Sequence, residues 1–239
     1  MKKFLSLIIT ILLSVTLNAQ NIYLVAVGVA DYPGTDSDLS YTVKDAQLIK
    51  SLFEKNKNAK SVLLTNSQAT KTNLLRQMQI TFANAKAEDI VVLFFSGHGY
   101  EGGLCTYGDY TSYEEIKKVI SKSKAMNKVI FADACYSGTL RETQNTSANS
   151  APIKDLNVLL FLSSRSNETS LESSSVGNGF FTTFLNRGLR GNADSNKDRI
   201  ITAKELFMFV NQGVVNYSKG KQHPVMWGRF EDDMPVMVW

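Results

Sequence analysis

Apolar runs alternate with amphipathic stretches along most of this chain, and the alternation predicts a parallel α/β sheet with helical crossovers. Strands are expected over residues 22–29, 61–64, 89–95, 128–134 and 158–162. Several are apolar nearly throughout, as strands covered on both faces should be. Helices are expected over residues 43–55, 71–85, 112–122, 180–189 and 203–217, with Thr70 and Thr111 as N-caps. One segment breaks the pattern: residues 138–155 are polar, rich in Ser, Thr and Asn, and without periodicity, so they read as an exposed loop.

The first twenty residues follow a different rule. Two lysines precede an apolar stretch from Phe4 to about Val15 and a short polar end with the small residue Ala19, the form of a secretory signal peptide cleaved after Ala19. The stretch is short of the roughly 20 residues a spanning helix needs, so no stable membrane insertion is expected after cleavage. Residues 1–19 are therefore expected to be a signal peptide and 20–239 one domain, large enough to bury a substantial core and exported to the periplasm or beyond the cell. Of the formal net charge of +4, Lys2 and Lys3 supply two, and the near-neutral remainder gives no reason to expect nucleic acid as a partner.

Cys105 and Cys135 are the only cysteines, and in an exported chain such a pair would ordinarily suggest a disulfide. Cys135, however, ends an apolar segment and precedes a Ser-Gly turn, a setting suited to presenting a reactive side chain. The third strand runs into Ser96-Gly97-His98-Gly99 and the fourth into Asp133-Ala134-Cys135-Tyr136-Ser137-Gly138. In an open parallel sheet both sequences finish at the carboxyl edge, where such folds place their sites. If the two strands pair, about 4.8 Å apart, His98 and Cys135 share one cleft. A thiol attacks as thiolate, and an imidazole can take its proton and later protonate a leaving amine. The glycines beside His98 allow backbone N–H groups, those of Gly99 and Cys135, to approach an oxyanion. Taken singly, Cys135 reads rather as a buried structural thiol and His98 as a turn histidine chosen for packing; it is their joint placement at successive strand ends that reverses this and favours a dyad.

These residues resemble a known family. Ser-Gly-His-Gly followed by Asp-Ala-Cys-Tyr-Ser-Gly is similar to the paired signature of the caspase-like cysteine peptidases, closest to the metacaspases and their bacterial relatives. The resemblance extends to residues 23–28 with Asp45-Ala46, to Leu162-Ser163-Ser164-Arg165 with Glu168-Thr169-Ser170, and to Gly179-Phe180-Phe181-Thr182. It implies a three-layer α/β sandwich around a mostly parallel six-stranded sheet, with His98 as base and Cys135 as nucleophile at its carboxyl edge. It further implies that Asp133, Asp45 and Ser96 line the primary specificity pocket of a polypeptide substrate. An acidic pocket selects Lys or Arg. The other readings of the two carboxylates are structural: Asp133 accepting backbone N–H bonds in its turn, Asp45 meeting the dipole of its helix. Members of the family that are trimmed after the catalytic cysteine suggest self-cleavage after Lys154 or Arg141 in the polar loop.

No Gly-x-Ser-x-Gly elbow is present and no Gly-x-Gly-x-x-Gly follows the first strand, which counts against an α/β serine hydrolase and a dinucleotide enzyme. Cys105 reads as a packed thiol in an extended segment and His223 as a surface or loop histidine. Asp194, Asn196, Asp198, Thr202 and Glu205 fall at positions 1, 3, 5, 9 and 12 of an EF-hand-type loop, with Arg199 where the sixth position usually has Gly. The dyad requires no cofactor, so calcium here would be a separate site; the alternative is an acidic turn with Thr202 as N-cap. Beside an active endopeptidase stand a catalytically silent caspase-like module that binds peptides or proteins, and a hydrolase or transferase using the dyad on a small amide.

Overall fold

The computed structural model describes residues 20–34, 38–100, 102–134, 158–164, 172–173 and 177–239. The leader and the polar loop 138–155 lie outside them. In chain order the described elements are β1 (Ile22–Gly28), α1 (Thr42–Phe53), β2 (Ala59–Thr65), α2 (Lys71–Phe82), β3 (Ile90–Ser96), β4 (Gly99–Tyr100), β5 (Gly103–Thr106), β6 (Asp109–Ser112) and α3 (Tyr113–Ile120). There follow β7 (Asn127–Asp133), β8 (Val158–Leu162), β9 (Glu172–Ser173), β10 (Asn178–Gly179), α4 (Phe180–Arg187), β11 (Ile200–Thr202), α5 (Ala203–Tyr217), β12 (Val225–Arg229) and β13 (Pro235–Val238).

Six strands form the central sheet in the order β12-β8-β7-β3-β1-β2. The five expected from sequence are mutually parallel, and β12 pairs antiparallel with β8 at the edge. Because side chains alternate along a strand, the two faces of these apolar runs go to different layers. Tyr23, Val25 and Val27 pack with Leu74, Met78 and Phe82 of α2 and with Ile116 and Ile120 of α3. Leu24 and Ala26 pack with Ile49 and Phe53 of α1, Leu185 of α4, and Leu206 and Val210 of α5. The result is the expected three-layer sandwich. Each large aliphatic or aromatic side chain buried in it contributes about 1.5–3 kcal/mol of transfer free energy.

The expectation that Thr111 caps α3 is corrected. Thr111 lies within β6, where its hydroxyl shares a 3.1 Å hydrogen bond with Thr106, and the cap is Ser112. Ser112 and Glu115 form a reciprocal capping box, because the chain turns out of the antiparallel β4-β5-β6 sheet one residue later than propensity suggests. Thr70 does cap α2, accepting the Asn73 N–H at 3.3 Å. Strand β12 escaped the periodicity reading for a physical reason: it is an edge strand, half-exposed, and Gly228 adopts φ +122° where its backbone closes on Val158.

Thr202 and Glu205 form a second capping box at the start of α5. The other Glu205 oxygen accepts the Ser195 N–H at 3.0 Å and its hydroxyl at 2.7 Å. Burial alone would raise this carboxyl, but the hydrogen bonds from Ser195 and Thr202 outweigh it and hold the group down at about 2. A folded-state value below the unfolded one, near 4.3, means stabilisation that is complete above about pH 5 and lost as pH falls toward 2. The stability gap between wild type and Glu205→Gln, measured by urea unfolding, should therefore be widest near neutrality and close across that window. A gap independent of pH would show that the carboxylate charge contributes nothing.

Candidate active site

The strands β3 and β7 are neighbours, and their last paired positions are Ser96 and Asp133. One more bond, from the Gly97 N–H to the Asp133 carbonyl at 3.2 Å, carries the contact past the strand ends. His98 leaves β3 two residues after Ser96, and position 135 leaves β7 two residues after Asp133. Cys135 itself lies outside the described residues, as do Lys154 and Arg141. Its predecessor Ala134 is buried and held on both sides of its peptide: the Ala134 N–H donates to the Ser163 hydroxyl at 3.2 Å, and that hydroxyl donates to the Ala134 carbonyl at 3.1 Å.

His98 is half-buried and is surrounded by a residue the sequence reading missed. Its N–H donates to the Tyr32 hydroxyl at 2.8 Å, and that hydroxyl donates to the Cys105 carbonyl at 3.0 Å. The Tyr32 ring lies 4.9 Å from the imidazole, tilted by 44°. Burial pushes the Tyr32 phenol well above its ordinary value, although the hydrogen bond from the His98 backbone opposes this, so it remains a neutral donor. The sequence offered only a Tyr-Pro-Gly turn after the first strand. Cys105 sits half-buried on β5 against the core, as expected, and its N–H donates to the His98 carbonyl at 2.9 Å. That bond makes Gly99 and Leu104 a non-hydrogen-bonded pair of the antiparallel ladder, so the Gly99 N–H points away from β5. His223 is a half-buried loop histidine before β12.

Asp45, Ser96 and Asp133 come together on the α1/α4 side of the sheet, 1%, 1% and 6% exposed. Ser96 donates its hydroxyl to Asp45 Oδ2 at 2.9 Å, and the Gly179 N–H donates to Asp45 Oδ1 at 3.2 Å. Asp133 Oδ2 accepts the Thr182 N–H at 3.2 Å and the Thr182 hydroxyl at 2.8 Å. Gly179 is the N-cap residue of α4 and has no side chain with which to cap it. Asp133 supplies that cap from the sheet, on the third N–H, where an N-cap oxygen normally binds, and its charge meets the positive end of the helix. The structural role foreseen for Asp133 thus takes place on α4 rather than in its own turn. In the sequence Thr182 stands only within the Gly179-Phe180-Phe181-Thr182 resemblance, yet a helix opening on Gly without its own Ser, Thr, Asp or Asn cap is a signal that another element supplies the acceptor.

In the EF-hand-type loop the expected ligands bind one another or the backbone. Asp194 Oδ2 accepts the Arg199 N–H at 3.0 Å, Asn196 Oδ1 the Asp198 N–H at 3.0 Å, and Asp198 Oδ1 the Ile200 N–H at 2.8 Å. Lys197 and Arg199 take φ of 62° and 70° to allow this. Among the described residues no group of three or more His, Cys, Asp or Glu is gathered to hold a metal.

A family model described as a caspase domain matches residues 23–234. The crystal structure of protein GSU0716 from Geobacter sulfurreducens is similar, with a TM-score of 0.68 at 15% sequence identity over 91% of this chain and 97% of that one. At this identity the likeness is one of fold. No curated protein matches the chain.

A Cβ at position 179 would collide with Asp133 Oδ2, with Asp45 Oδ2 3.4 Å away. Gly179→Ala should therefore displace the α4 cap and lower stability by about 1–3 kcal/mol, as overpacking of a filled interior does. Urea unfolding measures this, and an unchanged midpoint would mean the carboxylates can move aside without loss.

Proposed function

This chain belongs to the caspase-domain family, and from that premise we propose that it is a cysteine endopeptidase that cuts polypeptides after Arg or Lys. The observation that carries the reading is the register Ser96 opposite Asp133, which ends β3 and β7 together at one edge, each two residues before a member of the proposed dyad in the sequence. His98 takes the Cys135 proton, and the thiolate attacks the scissile carbonyl carbon. The N–H groups of Gly99 and Cys135 receive the oxyanion, consistent with the Gly99 amide pointing away from β5. The imidazolium then protonates the leaving amine, and the same imidazole activates the water that hydrolyses the thioester. No cofactor enters this sequence of steps.

Two buried carboxylates beside the Gly179 backbone support the basic preference, since a guanidinium or ammonium reaching them gains charge-assisted hydrogen bonds away from bulk water. A leader over residues 1–19 would place this activity in the periplasm or outside the cell.

The purified chain, reduced, should cleave fluorogenic peptides ending in Arg or Lys and leave those ending in Asp or Asn intact. Cys135→Ala and His98→Ala should abolish the activity. Asp133→Asn, which keeps an acceptor for Thr182 while removing the charge, should lose about 100-fold in kcat/KM on basic peptides, equivalent to about 2.7 kcal/mol. No cleavage of any of the four peptides would leave the binding-module reading in place, and retained selectivity in Asp133→Asn would remove the role of that carboxylate.

The same specificity would accept Lys154, and Arg141 in a second molecule because it lies only six residues past Cys135. Intact-mass analysis should show fragments ending at one or both residues in the wild type and none in Cys135→Ala. A wild type that is uncut and fully active would show that the loop needs no processing.

A further inference from the structure

A general base works only if its imidazole is held on the line between nucleophile and leaving group, and His98 follows a strand end flanked by glycines, the least constrained backbone available. Something outside the Gly-His-Gly turn must hold it. We propose that Tyr32 is the positioning residue of His98, fixing both its backbone and the sweep of its ring; this rests on His98 being the base.

The hydroxyl of Tyr32 stands between two peptide groups. It accepts the His98 N–H at 2.8 Å and donates to the Cys105 carbonyl at 3.0 Å, while the Cys105 N–H donates to the His98 carbonyl at 2.9 Å. The two polar backbone groups of His98 are thus both tied into one closed circuit, and its φ and ψ cannot drift without breaking a bond of that circuit. The Tyr32 ring, 4.9 Å from the imidazole, limits rotation on that side. Tyr32 is itself anchored, 7% exposed, with its N–H donating to Asp38 Oδ1 at 3.2 Å.

Gly97 acquires a second reason from the same contact. A Cβ at that position would lie 2.7 Å from the Tyr32 hydroxyl oxygen. The glycine before His98 therefore makes room for the residue that holds His98, and not only for an approaching substrate. The phenol, protonated at neutral pH as any tyrosine is and pushed further up by burial, donates and accepts at once.

Tyr32→Phe removes the circuit and keeps the ring. It should lower kcat by about 10- to 100-fold, the cost of a small misplacement of a catalytic group, and leave KM on an Arg peptide within about twofold. An independent readout comes from NMR of the imidazole protons. The chain has two histidines, so a His223→Gln variant assigns the His98 signals. In a Cys135→Ala background at neutral pH, Tyr32→Phe should shift and broaden those signals through a changed position in the field of the aromatic ring. Asp38→Ala, at an exposed position, loosens Tyr32 without touching the core and should shift them in the same direction by less. If Tyr32→Phe fails to fold, Asp38→Ala decides. Unmoved His98 signals, or a fall in activity carried by KM with kcat intact, overturn the proposal. A wild type with no peptidase activity overturns His98 as base, and the NMR arm still decides whether Tyr32 holds its ring.

Discussion

The parallel pairing of β3 with β7 is the constraint on which the rest of the site depends. Both strands are buried along their length, so neither face of the sheet is open to solvent chemistry, and polar side chains enter where the strands run out. Ser96 and Asp133 are those first polar positions, and they are opposite each other. A slip of one residue in this register would turn Asp133 toward α2 and α3, leaving a carboxylate in an apolar layer and α4 without its cap. The hydrophobic pattern of two strands therefore sets the place of the polar groups at their carboxyl ends.

Asp133 ties the proposed specificity to the fold. Its carboxylate holds the first turn of α4, and α4 in turn packs Phe181 and Leu185 onto the sheet face that Asp133 terminates. Asp45 does the same from α1 through Gly179 and Ser96. Burying two carboxyl groups near one another costs hydration, and each is compensated by at least two hydrogen bonds from neighbouring groups. The same two carboxyl groups that keep helix and sheet together are the ones the proposed specificity rests on.

On the other side of the sheet edge, the β4-β5-β6 excursion gives His98 its surroundings. The backbone of Cys105 meets both Tyr32, through its carbonyl, and His98, through its N–H. Ser163 holds Ala134 in a comparable way from β8, so the segments leading to both members of the proposed dyad are fixed by hydroxyls from neighbouring parts of the chain.

The sequence by itself determined the layers, because unbroken apolar runs such as residues 90–95 have no solution except burial on both faces, and amphipathic runs between them must supply the cover. It also marked the two strand ends, since Gly-His-Gly and Asp-Ala-Cys each end such a run with a titratable side chain. Only the tertiary structure decided what those ends touch. Tyr32, Thr182 and Gly179 are 66, 49 and 134 residues from their partners His98, Asp133 and Asp45, too far for any local spacing to announce the contact. The cap of α3 moved from Thr111 to Ser112 because a sheet outside the helix chose where the helix began. Periodicity reports which face of an element is apolar; it carries no information about which element arrives to meet the polar groups left at its end, and that meeting is what makes a site.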